Sequence, residues 1–171
     1  MLGTGGDESS APRSRIAFRP RDRHGDSHQP SAADVPPAPT QPIVLVDDEK
    51  SYTELLTQLL SDNLNCRVHS FSRPADALAM LAAIDPGVIV TDYYMPELNG
   101  LEFIRAASKV VPQARFVLIS GHNLSASEPD MAQLPALQGF LAKPFGWRKL
   151  ADEILRVWPE TSTAPRLRES R

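Results

Sequence analysis

The sequence predicts a doubly wound α/β fold, an open parallel sheet covered by helices on both faces. Two observations carry this. Short runs rich in β-branched residues alternate along residues 43–159 with segments whose apolar residues recur at helical spacing. Four of the strand-like runs also end in polar residues, at Asp47, Asp92, Ser120 and Lys143, which suits a sheet whose crevice lies at the carboxyl ends of its strands.

The elements follow in order. "IVLV" (43–46) is a short apolar strand. Tyr52, Leu55, Leu56, Leu59 and Leu60 then stripe one face of a helix. "CRVHSF" (66–71) alternates apolar and polar residues and reads as a less buried strand that includes Cys66. Ser72 is the expected N-cap of a second helix, with Pro74 in its first turn and its end near Ala83. "GVIVT" (87–91) is the third strand, delivering Asp92 at its tip, and Asn99-Gly100 is a turn pair. Leu101, Ile104 and Ala107 face one way on a helix from Gly100 to Val110. "RFVLIS" (115–120) and "GFLA" (139–142) are the last two strands. Between them "SEPD" (127–130) can open a helix that Pro135 should end, so a short or irregular fourth helix is expected. Trp147, Leu150, Ala151, Ile154 and Trp158 stripe a fifth. Five strands and five helices in alternation imply right-handed crossovers and, at this size, the flavodoxin-like strand order 2-1-3-4-5.

The ends of the chain read differently. Residues 1–42 hold seven of the sixteen prolines and balance five Arg against five acids, too little apolar matter to offset the entropy of ordering, so disorder is expected there. The arginines from Arg13 to Arg23 suit either a solvated tail or contact with an acidic partner or a phosphate backbone. Residues 160–171 read as a short flexible tail, leaving 43–159 as the single domain. A net charge of −3 supplies no global basic field, so nucleic acid is not the expected partner. One cysteine excludes a disulfide framework, and no apolar run approaches a membrane span or a signal peptide, so a soluble cytoplasmic protein is expected.

In the 2-1-3-4-5 order, strands 1 and 3 flank the switch point, so Asp47, Asp48 and Glu49 converge on the same crevice as Asp92, with Ser120 and Lys143-Pro144 beside them. Taken singly these are ordinary: an Asp after a strand is a turn residue, a Lys-Pro is a loop, and an acidic triplet caps a helix. Their combination in sequence order is what is specific. Clustered carboxylates repel unless a cation sits among them, and all-oxygen donors suit Mg²⁺. Asp92 could then attack phosphorus and form an acyl phosphate. Mg²⁺ and Lys143 would neutralise the transferring oxygens, and Ser120 would donate a hydrogen bond to one of them.

The stretches "IVLVDDE", "VIVTDYYMPELNGLEFI", "FVLISGH" and "GFLAKPF" resemble those of a bacterial two-component response-regulator receiver domain, across essentially the whole of 43–159. The resemblance implies that Asp92 is the phosphoacceptor and that Asp47 and Asp48 are the acidic pair, with Asp48 the more direct Mg²⁺ ligand. It implies that the main-chain carbonyl of Tyr94 completes the metal site. Ser120 would be the switch hydroxyl, Phe140 the rotameric aromatic and Lys143 the phosphate lysine, with a cis bond to Pro144. A histidine kinase, a phosphotransfer protein or a small phosphodonor would supply the phosphoryl group. Two departures stand out: Tyr94 is bulky where smaller polar residues are common, and the fourth helix is interrupted by proline.

Read without the resemblance, Phe140, Trp147 and Trp158 are core residues, Tyr93 and Tyr94 pack at the crevice rim, and His122 starts a helix or donates a proton. The leading expectation is a phosphorylation-dependent switch rather than an enzyme, with no output domain after residue 159 and an unidentified protein target. A receiver segment of a hybrid histidine kinase is the alternative within that class. A Mg²⁺-dependent phosphatase with an Asp nucleophile would place that Asp after strand 1 and a second Asp two residues on, where this chain has Glu49. A flavin- or nucleotide-binding module would want a phosphate loop where "DDEKS" stands.

Overall fold

The computed structural model describes residues 40–121, 131 and 133–168. Most of the N-terminal segment, the body of the expected fourth helix and His122 lie outside those residues. Among them, five strands form one parallel sheet: β1 (Ile43–Val46), β2 (Val68–Phe71), β3 (Val88–Asp92), β4 (Arg115–Ser120) and β5 (Leu137–Ala142). Their order is β2-β1-β3-β4-β5, as the alternation predicted. Four helices are described: α1 (Lys50–Asn63), α2 (Pro74–Ile84), α3 (Gly100–Val110) and α4 (Trp147–Val157).

Side chains alternate across the sheet, and each face carries its own core. Ile43, Leu45, Val88, Val90, Val117 and Ile119 pack with Leu56 and Leu60 of α1 and Leu150, Ala151 and Ile154 of α4. Val44, Val46, Ile89, Phe116 and Leu118 pack with Ala77 and Leu81 of α2 and Phe103, Ile104 and Ala107 of α3. β1, β3 and most of β4 are buried on both sides, which is why they read as unbroken apolar runs.

Several local expectations need correction. Ser72 does not cap α2: the N-cap is Arg73, with no side-chain hydrogen bond, and Pro74 starts the helix because its fixed φ suits the first turn. Asn99-Gly100 is not a free turn. Asn99 Oδ1 accepts from the Glu102 N–H and Glu102 Oε2 from the Asn99 N–H, each at 3.0 Å, a complete capping box for α3. Gly100 is required because a Cβ there would lie 2.5 Å from the Asp92 carbonyl oxygen. Leu55, assigned to the apolar stripe of α1, is 53% exposed. Cys66 lies half-buried in the bend before β2 rather than in the strand, and burial pushes its thiol up to about 11. β5 begins two residues earlier than predicted. A register shift between Phe116 and Val117 breaks the alternation at Gln138 and conceals the start of the strand.

α4 closes the outer edge of β5. The Arg156 guanidinium donates to the Gln138 carbonyl at 2.6 Å and pairs with Glu153 at 2.7 Å, so an edge that would otherwise offer open hydrogen-bonding groups is capped by side chains. Gly139 makes room for this, since a Cβ there would come within 2.7 Å of Glu153 Oε1.

The segment after α4, expected to be a flexible tail, is engaged through residue 168. Trp158 Nε1 donates to Ser162 Oγ at 2.7 Å. Leu167 bridges antiparallel to Leu64, the Asn65 N–H donates to the Arg166 carbonyl at 3.1 Å, and the Arg168 N–H donates to the Asn63 carbonyl at 2.7 Å. The chain therefore returns to the corner between α1 and β2, where its backbone finds the partners that a frayed end would leave to water. Removing residues 160–171 should lower stability by about 1–3 kcal/mol, the worth of a few backbone hydrogen bonds, and should speed thiol labelling of Cys66. Urea denaturation and a thiol-reagent time course measure both. An unchanged midpoint would show that the strap contributes nothing.

Candidate functional site

Register alone brings the polar strand ends to one level. Val46 pairs with Thr91, so Asp47 follows β1 where Asp92 ends β3. Asp92 is itself the last paired residue, opposite Ile119, and Ser120 pairs with Ala142, so Lys143 comes next on β5. The Lys143 N–H donates to the Ser120 carbonyl at 2.7 Å, extending that ladder by one bond.

The side chains meet as their backbones dictate. Lys143 Nζ lies 2.8 Å from Asp47 Oδ2 and 2.9 Å from Asp92 Oδ1. The other oxygen of each carboxylate accepts from the backbone: Asp47 Oδ1 from the Glu49 N–H at 2.9 Å, and Asp92 Oδ2 from the Tyr94 N–H at 2.8 Å. Thr53 of α1 donates its hydroxyl to the Asp47 carbonyl at 3.2 Å and to the Glu49 carbonyl at 3.0 Å, tying the start of the helix to the end of the strand. Glu49 is the N-cap of α1 but makes no side-chain capping bond.

Burial and charge oppose each other here. Burial pushes the Asp92 carboxyl above its ordinary value. The hydrogen bond and charge of Lys143 pull it down without cancelling that, while Asp47 pushes it up further. For Lys143 burial favours the neutral amine, but the hydrogen bonds to Asp47 and Asp92 outweigh it and the ammonium ends above its ordinary value. Asp92 is therefore the carboxylate whose charge is costly, and added positive charge lowers that cost.

The other predicted residues lie around this pair. Asp48 is exposed at the tip of β1. Ser120 is fully buried. Phe140 is half-buried and packs on the α2–α3 core. Tyr94 is 52% exposed, with its ring edge-on to half-buried Tyr93 at a centroid distance of 4.7 Å. The Lys143-Pro144 bond is cis, as the resemblance implied. Sequence reading missed Tyr52, whose ring centroid lies 4.9 Å from Lys143 Nζ, and Phe145, which meets that ring edge-on at 6.2 Å. Helical spacing assigned Tyr52 to the core stripe, and a place five residues after Asp47 was the only other signal.

Among the described residues no three carboxylate, histidine or cysteine groups stand close enough together to hold a metal as they are. The Lys143 ammonium takes the central place between Asp47 and Asp92. The donor chemistry nevertheless fits a hard cation that keeps most of its waters. Carboxylate oxygens carry more than one lone pair, so the two buried carboxylates can accept from these donors and still face a cation, and Asp48 stands exposed beside them.

The raised value of Lys143 means its contribution is complete below the ordinary lysine range and is lost only as pH rises through the folded value, so the pair is intact at pH 7. Lys143→Ala leaves Asp92 beside Asp47 with no cation. A carboxyl with a raised folded value stabilises the fold below its unfolded value of about 3.9 and loses that contribution as pH rises through the folded one. In metal-free buffer the variant should lose about 1–3 kcal/mol at pH 7, below the figure for a fully buried pair because the lysine is partly exposed. The deficit should shrink toward pH 4 in urea titrations. A deficit that persists in acid would assign the loss to packing of the lysine stem.

No helix among the described residues is long and apolar enough to cross a membrane. Residues 43–155 match the family model described as the response regulator receiver domain. The chain is 30% identical over 115 residues to the response regulator receiver protein CpdR of Brucella abortus (strain 2308), covering 67% of this chain and 94% of that protein. It is 29% identical to the C4-dicarboxylate transport transcriptional regulatory protein DctD of Rhizobium meliloti (strain 1021), covering 67% of this chain but 25% of that relative. It is 28% identical to the sensor kinase CckA of Brucella abortus (strain 2308), covering 66% of this chain and 12% of the kinase. The fold superposes on the chemotaxis protein CheY4 of Vibrio cholerae with a TM-score of 0.63 at 22% identity, covering 69% of this chain and 98% of that one. With two thirds of the chain matched and the sheet order, cis-proline and strand-end carboxylates in place, the protein belongs to the response regulator receiver domain family of two-component systems.

Proposed function

We propose that the protein is a phosphorylation-dependent signalling switch that accepts a phosphoryl group on Asp92. The observation that carries this is the Lys143 ammonium bridging Asp47 and Asp92 at 2.8 and 2.9 Å, at the crevice end of the sheet. A carboxylate oxygen of Asp92 attacks phosphorus in line. The new O–P bond forms as the bond from phosphorus to the donor breaks, and the donor leaves with the electron pair. Lys143 holds the transferring oxygens, and the Ser120 hydroxyl donates to one of them. Asp48, Asp47, Asp92 and the main-chain carbonyl of Tyr94 would hold Mg²⁺, which supplies charge neutralisation at the phosphoryl group. Ser120 and Phe140 then report the change to a protein target through contacts.

The donor is a histidine kinase or a phosphotransfer protein, as befits a receiver of a two-component system. The likeness to part of a sensor kinase favours a second reading, a receiver segment of a hybrid kinase, which uses the same chemistry. The test is intact mass after acetyl phosphate and Mg²⁺. One phosphoryl should be gained by wild type, none by Asp92→Asn and none by wild type when Mg²⁺ is chelated. Undiminished labelling of Asp92→Asn would sink the assignment.

The lifetime of the signal is set at the rim of the same site. An acyl phosphate hydrolyses when water attacks phosphorus opposite the aspartyl oxygen. The Tyr94 N–H donates to Asp92, so the Tyr94 side chain starts beside that approach, and its ring is half exposed against Tyr93. The ring shields the phosphoryl group from water. Tyr94→Asn should shorten the phosphorylated lifetime by roughly tenfold, the equivalent of about 1.4 kcal/mol of barrier. Decay is followed at equal Mg²⁺ after the donor is removed. Equal or slower decay in the variant would show that Tyr94 only packs, or orients the water.

A further inference from the structure

Lys143 has a third neighbour besides its two carboxylates. The ring of Tyr52, in the first turn of α1, lies 4.9 Å from its Nζ. Tyr52 is half-buried and packs against the α1–α4 core, and Phe145 braces it edge-on at 6.2 Å and 69°. Phe145 lies two residues beyond Lys143, so the loop that carries the ammonium also carries the ring that steadies its platform. Tyr52 meets Lys143 and Phe145 through its ring, and its hydroxyl also feels the charges of Lys143, Asp47, Glu49 and Asp92.

The arrangement has a consequence for phosphoryl transfer. The two hydrogen bonds to Asp47 and Asp92 are directional, and Lys143 must redirect them toward phosphoryl oxygens when Asp92 is modified. A π face attracts a cation without demanding one direction, so it holds the ammonium throughout that shift. Lysine has a flexible stem and strong hydration, so an ammonium that let go of its carboxylates would otherwise turn to water. Preorganised charge at the transferring group is what lowers such barriers.

We propose that Tyr52 is a positioning residue for phosphoryl transfer, its ring face holding the Lys143 ammonium over the gap between Asp47 and Asp92. This rests on the reading of Asp92 as phosphoacceptor. Tyr52→Leu in the full chain should slow labelling by acetyl phosphate and Mg²⁺ about three- to tenfold, and Tyr52→Phe should restore the rate, because the ring rather than the hydroxyl does the work. Phenylalanine and its mono-, di- and trifluorinated forms placed at position 52 are close in shape but progressively drain the π face. Labelling rates by intact mass should fall stepwise along that series while the thermal midpoint stays level. Equal rates for Tyr52→Leu and wild type, or rates indifferent to fluorination, would overturn the proposal and leave the ring as filling. Absence of labelling in wild type would instead remove the reading of Asp92, and this proposal with it.

Discussion

One ammonium group ties three strands together. Lys143 follows β5, Asp47 follows β1 and Asp92 ends β3, and the contacts of 2.8 and 2.9 Å exist only if all three strand ends stand level. A slip of one residue in any of these strands would turn its side chains to the opposite face and carry its polar end away from the crevice. The two apolar cores hold the register, and the register makes the site. Without the lysine, Asp92 would face burial and the charge of Asp47 together, and both push its carboxyl in the same unfavourable direction.

The surroundings of the lysine differ in firmness. On the β4 side its backbone is held by the carbonyl of Ser120, which is itself fully buried. On the far edge, β5 is clasped by Arg156 and Glu153, which occupy hydrogen-bonding positions that another strand could otherwise take. Phe140 sits between these two constraints, half-buried against the α2–α3 core. A change at the Lys143 head group thus enters a strand pinned along both sides, and Phe140 is a large aromatic side chain in that strand that retains partial access to solvent. Under the proposed reading, this is the physical basis for a response at Phe140.

Much of this was legible in the sequence, for identifiable reasons. Strands buried on both faces are written as continuous β-branched runs, so β1, β3 and β4 were placed to within a residue, and polar residues at their ends marked the crevice. The Asp47–Asp92–Lys143 cluster followed from topology, because parallel strands put all carboxyl ends on one side. What escaped was set by contacts distant in sequence or by irregular backbone. The bulge at Gln138 hid the start of β5. The return of Leu167 to Leu64 has no local signature in "TAPRLR", since it depends on where α1 ends. Tyr52 fits a helical stripe equally well as core filler or as a platform, and its contact with Lys143 depends on a residue far away in sequence. The capping box was in principle readable, because Asn99 and Glu102 stand at the right spacing, but Asn-Gly is an equally familiar turn pair.

The electrostatic balance of the crevice also has a direction. Asp47, Asp48 and Asp92 bring three carboxyl groups against the one ammonium of Lys143, a formal excess of acidic over basic groups. Hydrogen bonds from Glu49 and Tyr94 backbone N–H groups offset part of that, but backbone dipoles do not neutralise it. On the proposed reading, Asp47 and Asp48 would hold a divalent cation that supplies that neutralisation, which would free Lys143 from Asp47. The ammonium is then available to Asp92 and to whatever Asp92 carries. On the same reading, a phosphoryl group on Asp92 would restore negative charge at a carboxylate that Lys143 already reaches. The lysine is counter-ion to the carboxylates and, on the proposed reading, would be counter-ion to the phosphoryl group after modification. On the proposed reading, the contact at 2.9 Å that makes Asp92 tolerable would also be the first point at which phosphorylation is felt.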